Sequence, residues 1–459
     1  MKYTVAEFFS GCGGFSRGFA RTGRFNVVLG NDVKAEALKS FAFNHSENGI
    51  CPSILREDIR TLKVTEIKKA LSLRGIGEGE LDCMIGGPPC QGFSQMRRTE
   101  LREEGKVSKF RGYSQLSNDP RNDLVLRYLD VAEALRPKVL LIENVPQMLN
   151  HGFDGRLGKL SEIVIDMLEK DLGYSVKVAV INCADYGVPQ LRERAFFIAT
   201  SVGTASFPST THANPNDTFS IGNGKLPWVT VGDAIRDLPP PSHILETLGG
   251  QDKSIYVGVE GDFAKIMRTS STFPYNHITR SYRKSVLNII KEMRPGYTWA
   301  AESERMRKNY ETIIDLFSRE LKISQADARK NLEKNEVINP VFFKNYYWSA
   351  YSRLTWEEPA LTITANANFL GSGQFSHPID DRGITMREAA RLQSFDDDFR
   401  FITSNDDKLD TTRIGVGMDM IGEAVPPLLA EVLANHLANQ LDAHRETKEI
   451  NDNKVYLDQ

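Results

Sequence analysis

The sequence predicts an α/β protein: a mostly parallel sheet with helices on both faces, joined to a smaller, irregular domain. Three observations carry this. Short apolar runs alternate with helically spaced apolar positions over about the first 200 residues, the pattern of a sheet covered by crossover helices. Several runs end on glycines, prolines or carboxylates, as strands do where they open onto a site. After about Thr200 the rhythm is lost in a stretch rich in Pro, Gly, Asn, Ser and Thr.

Each element follows in order. Residues 4–9 are apolar and β-branched and break at Gly11-Cys12-Gly13-Gly14. Residues 25–30 form a second strand ending at Asn31-Asp32, then a helix with Ala37, Phe41 and Phe43 among its apolar positions. A third element ends at Asp58-Ile59, and residues 81–85 form a fourth strand that runs into two glycines and two prolines. Val125, Leu129, Ala132 and Leu135 recur at helical spacing, predicting a helix over 123–135 that Pro137 ends. Residues 139–142 read as a buried strand stopping at Glu143-Asn144-Val145. A helix over 161–172 and strands over 175–181 and 195–199 complete the alternation. Beyond it, 303–336 is charged and helical, 386–393 is a short helix, and 424–441 is a longer one burying Leu428, Leu429, Val432, Leu433 and Leu437. The polar tail after His444 is expected to fray.

Composition bounds the function. The chain has 459 residues, 41% hydrophobic and 25% charged, with a net charge of −3. That fits a globular protein of two domains. No global basic field announces nucleic acid, so a polyanion site must be a local patch. The five cysteines, Cys12, Cys51, Cys83, Cys90 and Cys183, are scattered and odd in number. This argues against a disulfide framework or a zinc site, and for a reducing intracellular setting. No apolar run is long enough to span a membrane, and the first residues enter a strand without a signal peptide.

The most informative segment is Gly86-Gly87-Pro88-Pro89-Cys90-Gln91-Gly92-Phe93-Ser94. A lone cysteine is usually a small core hydrophobe. One presented by a rigid turn at a strand's carboxyl end is a candidate nucleophile. The loop Phe9 to Gly14 offers glycines and a helix N-terminus to a ligand. Ser16 occupies the third glycine position of a dinucleotide fingerprint, which weakens that reading. Asp32, ending the second strand, can accept from both ribose hydroxyls. Asp58 can accept from an adenine amino group. Together they suggest an adenosine-type ligand. Glu143 ends an apolar strand, which disfavours a charge unless it faces a site. In Gln190-Leu191-Arg192-Glu193-Arg194, alternation puts Arg192 and Arg194 on one face, where they can bind anions or pair with Glu143.

In this order the blocks resemble the cytosine-5 DNA methyltransferase family. The carriers are FFSGCGGFSRGF from Phe8, ND at Asn31, DI at Asp58, GGPPCQGFS from Gly86, ENV from Glu143 and QLRER from Gln190. RLTWEEPALTIT from Arg353, REAARLQSF from Arg387 and IGEAVPP from Ile421 follow. The resemblance implies a Rossmann-like class I methyltransferase fold. Its catalytic domain spans 1–200 completed by 418–445, with a target-recognition domain and hinge over 201–417 and a tail over 446–459. It implies Cys90 as nucleophile toward a flipped-out cytosine, Glu143 as the group holding ring N3, and Arg194, more weakly Arg192, on the base carbonyl and backbone. It places S-adenosylmethionine against Phe9, Gly11, Cys12, Gly13, Asp32, Val33, Asp58, Ile59, Pro89, Leu124, Glu423 and Val425, with S-adenosylhomocysteine as product. It makes the basic loop 93–122, with Arg97, Arg98, Lys106, Lys109 and Arg111, the segment that closes on substrate. It implies double-stranded DNA as partner, a cytoplasmic monomer, and a restriction-modification setting with a separately encoded endonuclease.

Two departures stand out. Val33 occupies a position where an aromatic often packs on adenine. Glu423 replaces an asparagine, retaining an acceptor but adding charge. Unless a cation answers it, this carboxylate is expected to repel that of the cofactor. The same chemistry on structured RNA, a non-catalytic DNA binder and a nicotinamide dehydrogenase are the alternatives. Intact Cys90, Glu143 and Arg194 oppose the second, and Ser16 with the Pro-Pro-Cys turn opposes the third.

Overall fold

The computed structural model describes residues 2–89, 122–150, 159–243, 256, 261–269, 274–403 and 413–457. Cys90 and residues 93–121 of the basic loop lie outside them. Eight strands are named here: β1 (Tyr3–Phe8), β2 (Phe25–Asn31), β3 (Ser53–Leu55), β4 (Cys83–Gly86), β5 (Val139–Asn144), β6 (Ser175–Asn182), β7 (Gln190–Leu191) and β8 (Glu193–Thr200). Seven of them form one sheet in the order β3-β2-β1-β4-β5-β8-β6. β1 to β5 run parallel, and β8 is antiparallel to both β5 and β6.

The near-continuous apolar strands follow from burial on both faces. Alternate residues supply the two faces. Ala6, Met84, Leu140 and Ile142 join one core with helices α3 (Val64–Ser72), α4 (Asn122–Leu135) and α5 (Lys159–Asp166). Val5, Cys83, Leu141 and Ile85 join the other, against Phe15 and Phe19 of α1 (Gly14–Arg21), Phe41 of α2 (Ala35–Asn44) and the C-terminal helix Pro427–Leu457. Each fully buried aliphatic side chain contributes about 2 kcal/mol of transfer free energy. Helices on both faces of a mostly parallel sheet is the arrangement the alternation predicts.

Differences from the sequence reading have local causes. The third strand is only Ser53–Leu55, and Asp58-Ile59 lie in the turn beyond it. The helix predicted over 161–172 starts as α5 and ends in a π-helical turn, Met167–Asp171. The charged stretch 303–336 is two helices, Trp299–Leu321 and Gln325–Lys334, broken where Lys322 takes a left-handed φ of 55°. The tail is not frayed: Pro427–Leu457 is one helix. It has a proline only at its first position and no glycine, so nothing stops it. Leu429, Leu433 and Leu437 are fully buried in it, while Leu428 and Val432 are only partly buried.

The region after Thr200 is helix and loop with short two-residue ladders, one joining β7 to Ala360–Leu361. One of its apolar clusters includes Cys12 and Ala37 beside Ile363, Leu392 and Ile421, so this core runs into the glycine loop and the helix after β2.

Candidate active site

Strand register assembles the site. Phe8 pairs with Asn31 and with Gly86, and Gly86 pairs with Ile142. The next residue on each strand, Phe9, Asp32, Gly87 and Glu143, therefore stands in one row at the carboxyl edge. This is where strand order reverses, between β1 and β4. Crevices at such switch points bind ligands in open α/β sheets. Here the crevice is a cavity of about 490 Å³, within the usual range for small-molecule sites. Among the described residues, every predicted site residue lines it except Gly13.

On one wall is the turn that leads to Cys90. Asn144 Nδ2 donates to the Pro88 carbonyl at 3.1 Å and pins that turn to the end of β5. Arg194 Nε meets Glu143 Oε1 at 2.9 Å, both side chains being largely buried. Glu143 Oε2 lies 3.1 Å from where a Cβ on Gly87 would stand. A side chain there would crowd the carboxylate, so glycine keeps the turn close to it. The expected juxtaposition of Glu143, Arg194 and the Pro-Pro turn is present.

The opposite wall is the glycine loop. Gly13 takes φ 91° at the start of α1, behind the cavity, with Phe41 and His45 where a Cβ would go. Phe9 is left-handed at φ 54°, a strained position for an aromatic and one often kept at ligand sites. Asp32 Oδ2 accepts from the Gly11 N–H at 2.8 Å, tying the second turn to the first. Asn31 Nδ2 donates to the carbonyls of Leu55 and Glu57, fixing the turn that carries Asp58. Asp58 meets Arg60 Nη2 at 2.5 Å, and the hydrogen bonds from Arg60 lower its pKa. Beneath the loop, burial pushes the Glu7 carboxyl up to about 8, although it accepts from the Ser16 N–H at 3.1 Å. Ser16 Oγ lies 3.0 Å from His45 Nε2, and burial lowers the pKa of His45 to about 4.

Two predicted residues behave differently from expectation. Arg192 is 2% exposed, and its guanidinium donates to the carbonyls of Ile363, Gly422 and Ala424 at 3.0–3.2 Å. It is committed to backbone rather than free beside Arg194. Glu423 is not an unanswered charge: Lys34 Nζ meets its Oε2 at 2.5 Å. Lys34 is the answering cation, and its distance from Glu423 along the chain hides it in the sequence. Glu7, Ser10, Asn31 and Asn144 were also missed, although a lone acid inside the apolar first strand was a signal for Glu7.

Aromatic and basic residues of the second region fall into two groups. Trp299 is 2% and Arg353 4% exposed, serving the core, whereas Tyr297, Tyr347 and Trp348 are about half exposed. Arg294 stacks 4.0 Å above the Tyr297 ring.

Comparison with known proteins gives the family. Residues 3–439 match the family model for C-5 cytosine-specific DNA methylase. The type II methyltransferase M.AgeI of Thalassovita gelatinovora is 29% identical over 464 residues, covering 93% of this chain and 97% of that one. M.DdeI of Desulfomicrobium norvegicum is 27% identical, covering 95% and 88%. The solved structure of a prophage-encoded E. coli protein superposes with a TM-score of 0.62 at 21% identity, covering 96% of this chain and 100% of that one. The family match runs from the first strand into the C-terminal helix and takes in both walls of the cavity: the chain belongs to the C-5 cytosine-specific DNA methylases.

Proposed function

We propose that the chain methylates carbon-5 of a cytosine flipped out of duplex DNA, through a transient bond between the base and Cys90. The observation that carries this is the Glu143–Arg194 pair beside the Gly87 turn, facing the cavity shared with the glycine loop. The target base must leave the stack to be reached. Cys90 Sγ, as thiolate, then bonds to carbon-6. Glu143 in its acid form gives its proton to ring N3 and, as the carboxylate so formed, accepts from the exocyclic amine while Arg194 holds Oε1; N3 returns the proton to Glu143 when Cys90 leaves. Electron density moves to carbon-5, which takes the methyl group. Loss of the carbon-5 proton to a base then breaks the bond to Cys90.

The cavity fits S-adenosylmethionine. Ser10 Oγ lines it, buried and without a hydrogen-bond partner among the described residues. Asp32 sits at its rim with further acceptor capacity for ribose hydroxyls. When bound, S-adenosylmethionine supplies an electrophilic methyl group. Phe9, Asp32, Ile59 and Pro89 would hold it between the glycine loop and the cysteine turn. The exposed rings of Tyr297, Tyr347 and Trp348 suit unstacked bases, so we assign target recognition to that region.

Bisulfite sequencing of DNA from a methylation-free host expressing the chain tests the reading. Protected cytosines in one sequence context are expected. Cys90→Ala is expected to abolish protection while the protein stays folded and binds S-adenosylhomocysteine. Complete conversion of the host DNA with soluble wild-type protein overturns the proposal.

A further inference from the structure

We propose that Lys34 and Glu423 form an ionic clasp that ties the helix after β2 to the helix Ile414–Glu423 at the rim of the cofactor cavity, so that both act as positioning residues for the cofactor. The inference rests on the S-adenosylmethionine reading above. Lys34 precedes the helix Ala35–Asn44, which follows β2; Glu423 is the last residue of the helix Ile414–Glu423. The two come from opposite ends of the chain, line the same cavity, and meet at 2.5 Å.

The backbone on both sides is held independently. The Lys34 N–H donates to Asp32 Oδ1 at 2.9 Å. The carbonyls flanking Glu423, of Gly422 and Ala424, accept from Arg192. Below the rim Cys12 Sγ meets the Met420 carbonyl at 3.6 Å and the apolar core is shared; at the rim the link is the pair of side chains. A second ion pair of reversed polarity, Glu36 with Arg413 at 3.1 Å, ties the same helix to the other end of Ile414–Glu423.

The magnitude favours a role in binding over one in folding. Both side chains are nearly half exposed, 46% and 43%. Such pairs contribute between nothing and about 1 kcal/mol to stability, a small share of a domain's total. At its upper end the same amount applied to a ligand held there is about a fivefold change in affinity. Pre-organised walls also cost the ligand less ordering entropy.

A rival account is purely electrostatic. In it Glu423 repels the carboxylate of the cofactor and Lys34 attracts it. The accounts differ in sign. The clasp requires that losing either partner weakens binding. The field requires that removing Glu423 strengthens it.

The test is calorimetric titration of the full chain with S-adenosylhomocysteine. Lys34→Met and Glu423→Gln are each expected to bind about fivefold more weakly. The charge-swapped double variant, Lys34→Glu with Glu423→Lys, is expected to recover most of the loss. Melting temperatures without ligand should match wild type, since a merely structural role would lower them. 5′-Methylthioadenosine, which lacks the amino-acid end, should lose the same factor as S-adenosylhomocysteine. Tighter binding by Glu423→Gln, or a swap no better than the single variants, overturns the clasp. A wild-type chain that binds neither ligand overturns the cofactor reading, and the clasp falls with it.

Discussion

Ser16 joins two groups whose protons move in opposite senses when the chain folds. Its N–H donates to Glu7 and its hydroxyl meets His45. Burial raises Glu7 to about 8, so the folded state holds a proton that the unfolded state releases near 4.5. From that group alone, stability falls as pH rises from about 4.5 to 8. Burial lowers His45 to about 4, so the unfolded state binds a proton below 6.5 that the folded state refuses. From His45, stability rises between about 4 and 6.5. The two oppose each other below 6.5, and above it Glu7 acts alone. Thermal melts of the ligand-free protein should therefore show a decline between pH 6.5 and 8 that Glu7→Gln flattens; an unchanged slope in the variant would place the proton elsewhere. Asp32→Ala should weaken S-adenosylhomocysteine far more than DNA. It removes charged acceptors worth about 1.5–3 kcal/mol each and frees the Gly11 N–H. Equal losses in separate titrations would show that Asp32 serves only the loop.

Elements were legible where one periodicity dominates. The strands alternate between two buried faces, and α4 repeats at helical spacing, so both could be read from residue type. Ends were harder. The stop at Lys322 depends on a left-handed backbone that its side chain does not advertise. The continuation of Pro427–Leu457 depends on the absence of a stop signal. Contact between elements was not legible. Gly18 in α1 faces Pro427–Leu457, and a Cβ there would stand 2.4 Å from Ala430 Cβ and from the Pro427 carbonyl oxygen. Nothing local distinguishes this glycine from one in a loop. Gly18→Val should force the two helices apart at a cost of about 1–3 kcal/mol, seen as an earlier thermal or urea midpoint. A midpoint equal to wild type would mean that the helices re-seat without loss.

For the whole molecule, the site was legible as a set of blocks and not as an assembly. Glycines, acids and the Pro-Pro turn announce themselves by type, and the register of parallel strands gathers them. The Lys34–Glu423 and Arg192 cross-links are long-range choices that no spacing reveals. Charge distribution is another whole-molecule property. With a net charge of −3, DNA binding must use a local basic face and release counterions there. Affinity for a duplex should then fall by orders of magnitude between about 50 and 200 mM salt, measured by fluorescence anisotropy. A flat response would count against duplex binding.

The last helix closes the sheet it follows. Tyr3 and Arg24 both reach Asp442, at 2.6 and 2.5 Å, and Arg21 reaches Glu431 at 2.9 Å. The first strands thus meet their covering layer only after the chain has been made past residue 427. Until then the nascent chain must keep the Phe15 and Phe19 face out of contact with other chains. A message cut short before residue 427 should yield aggregate rather than a weaker enzyme, so incomplete synthesis leaves no partly active product to mark DNA.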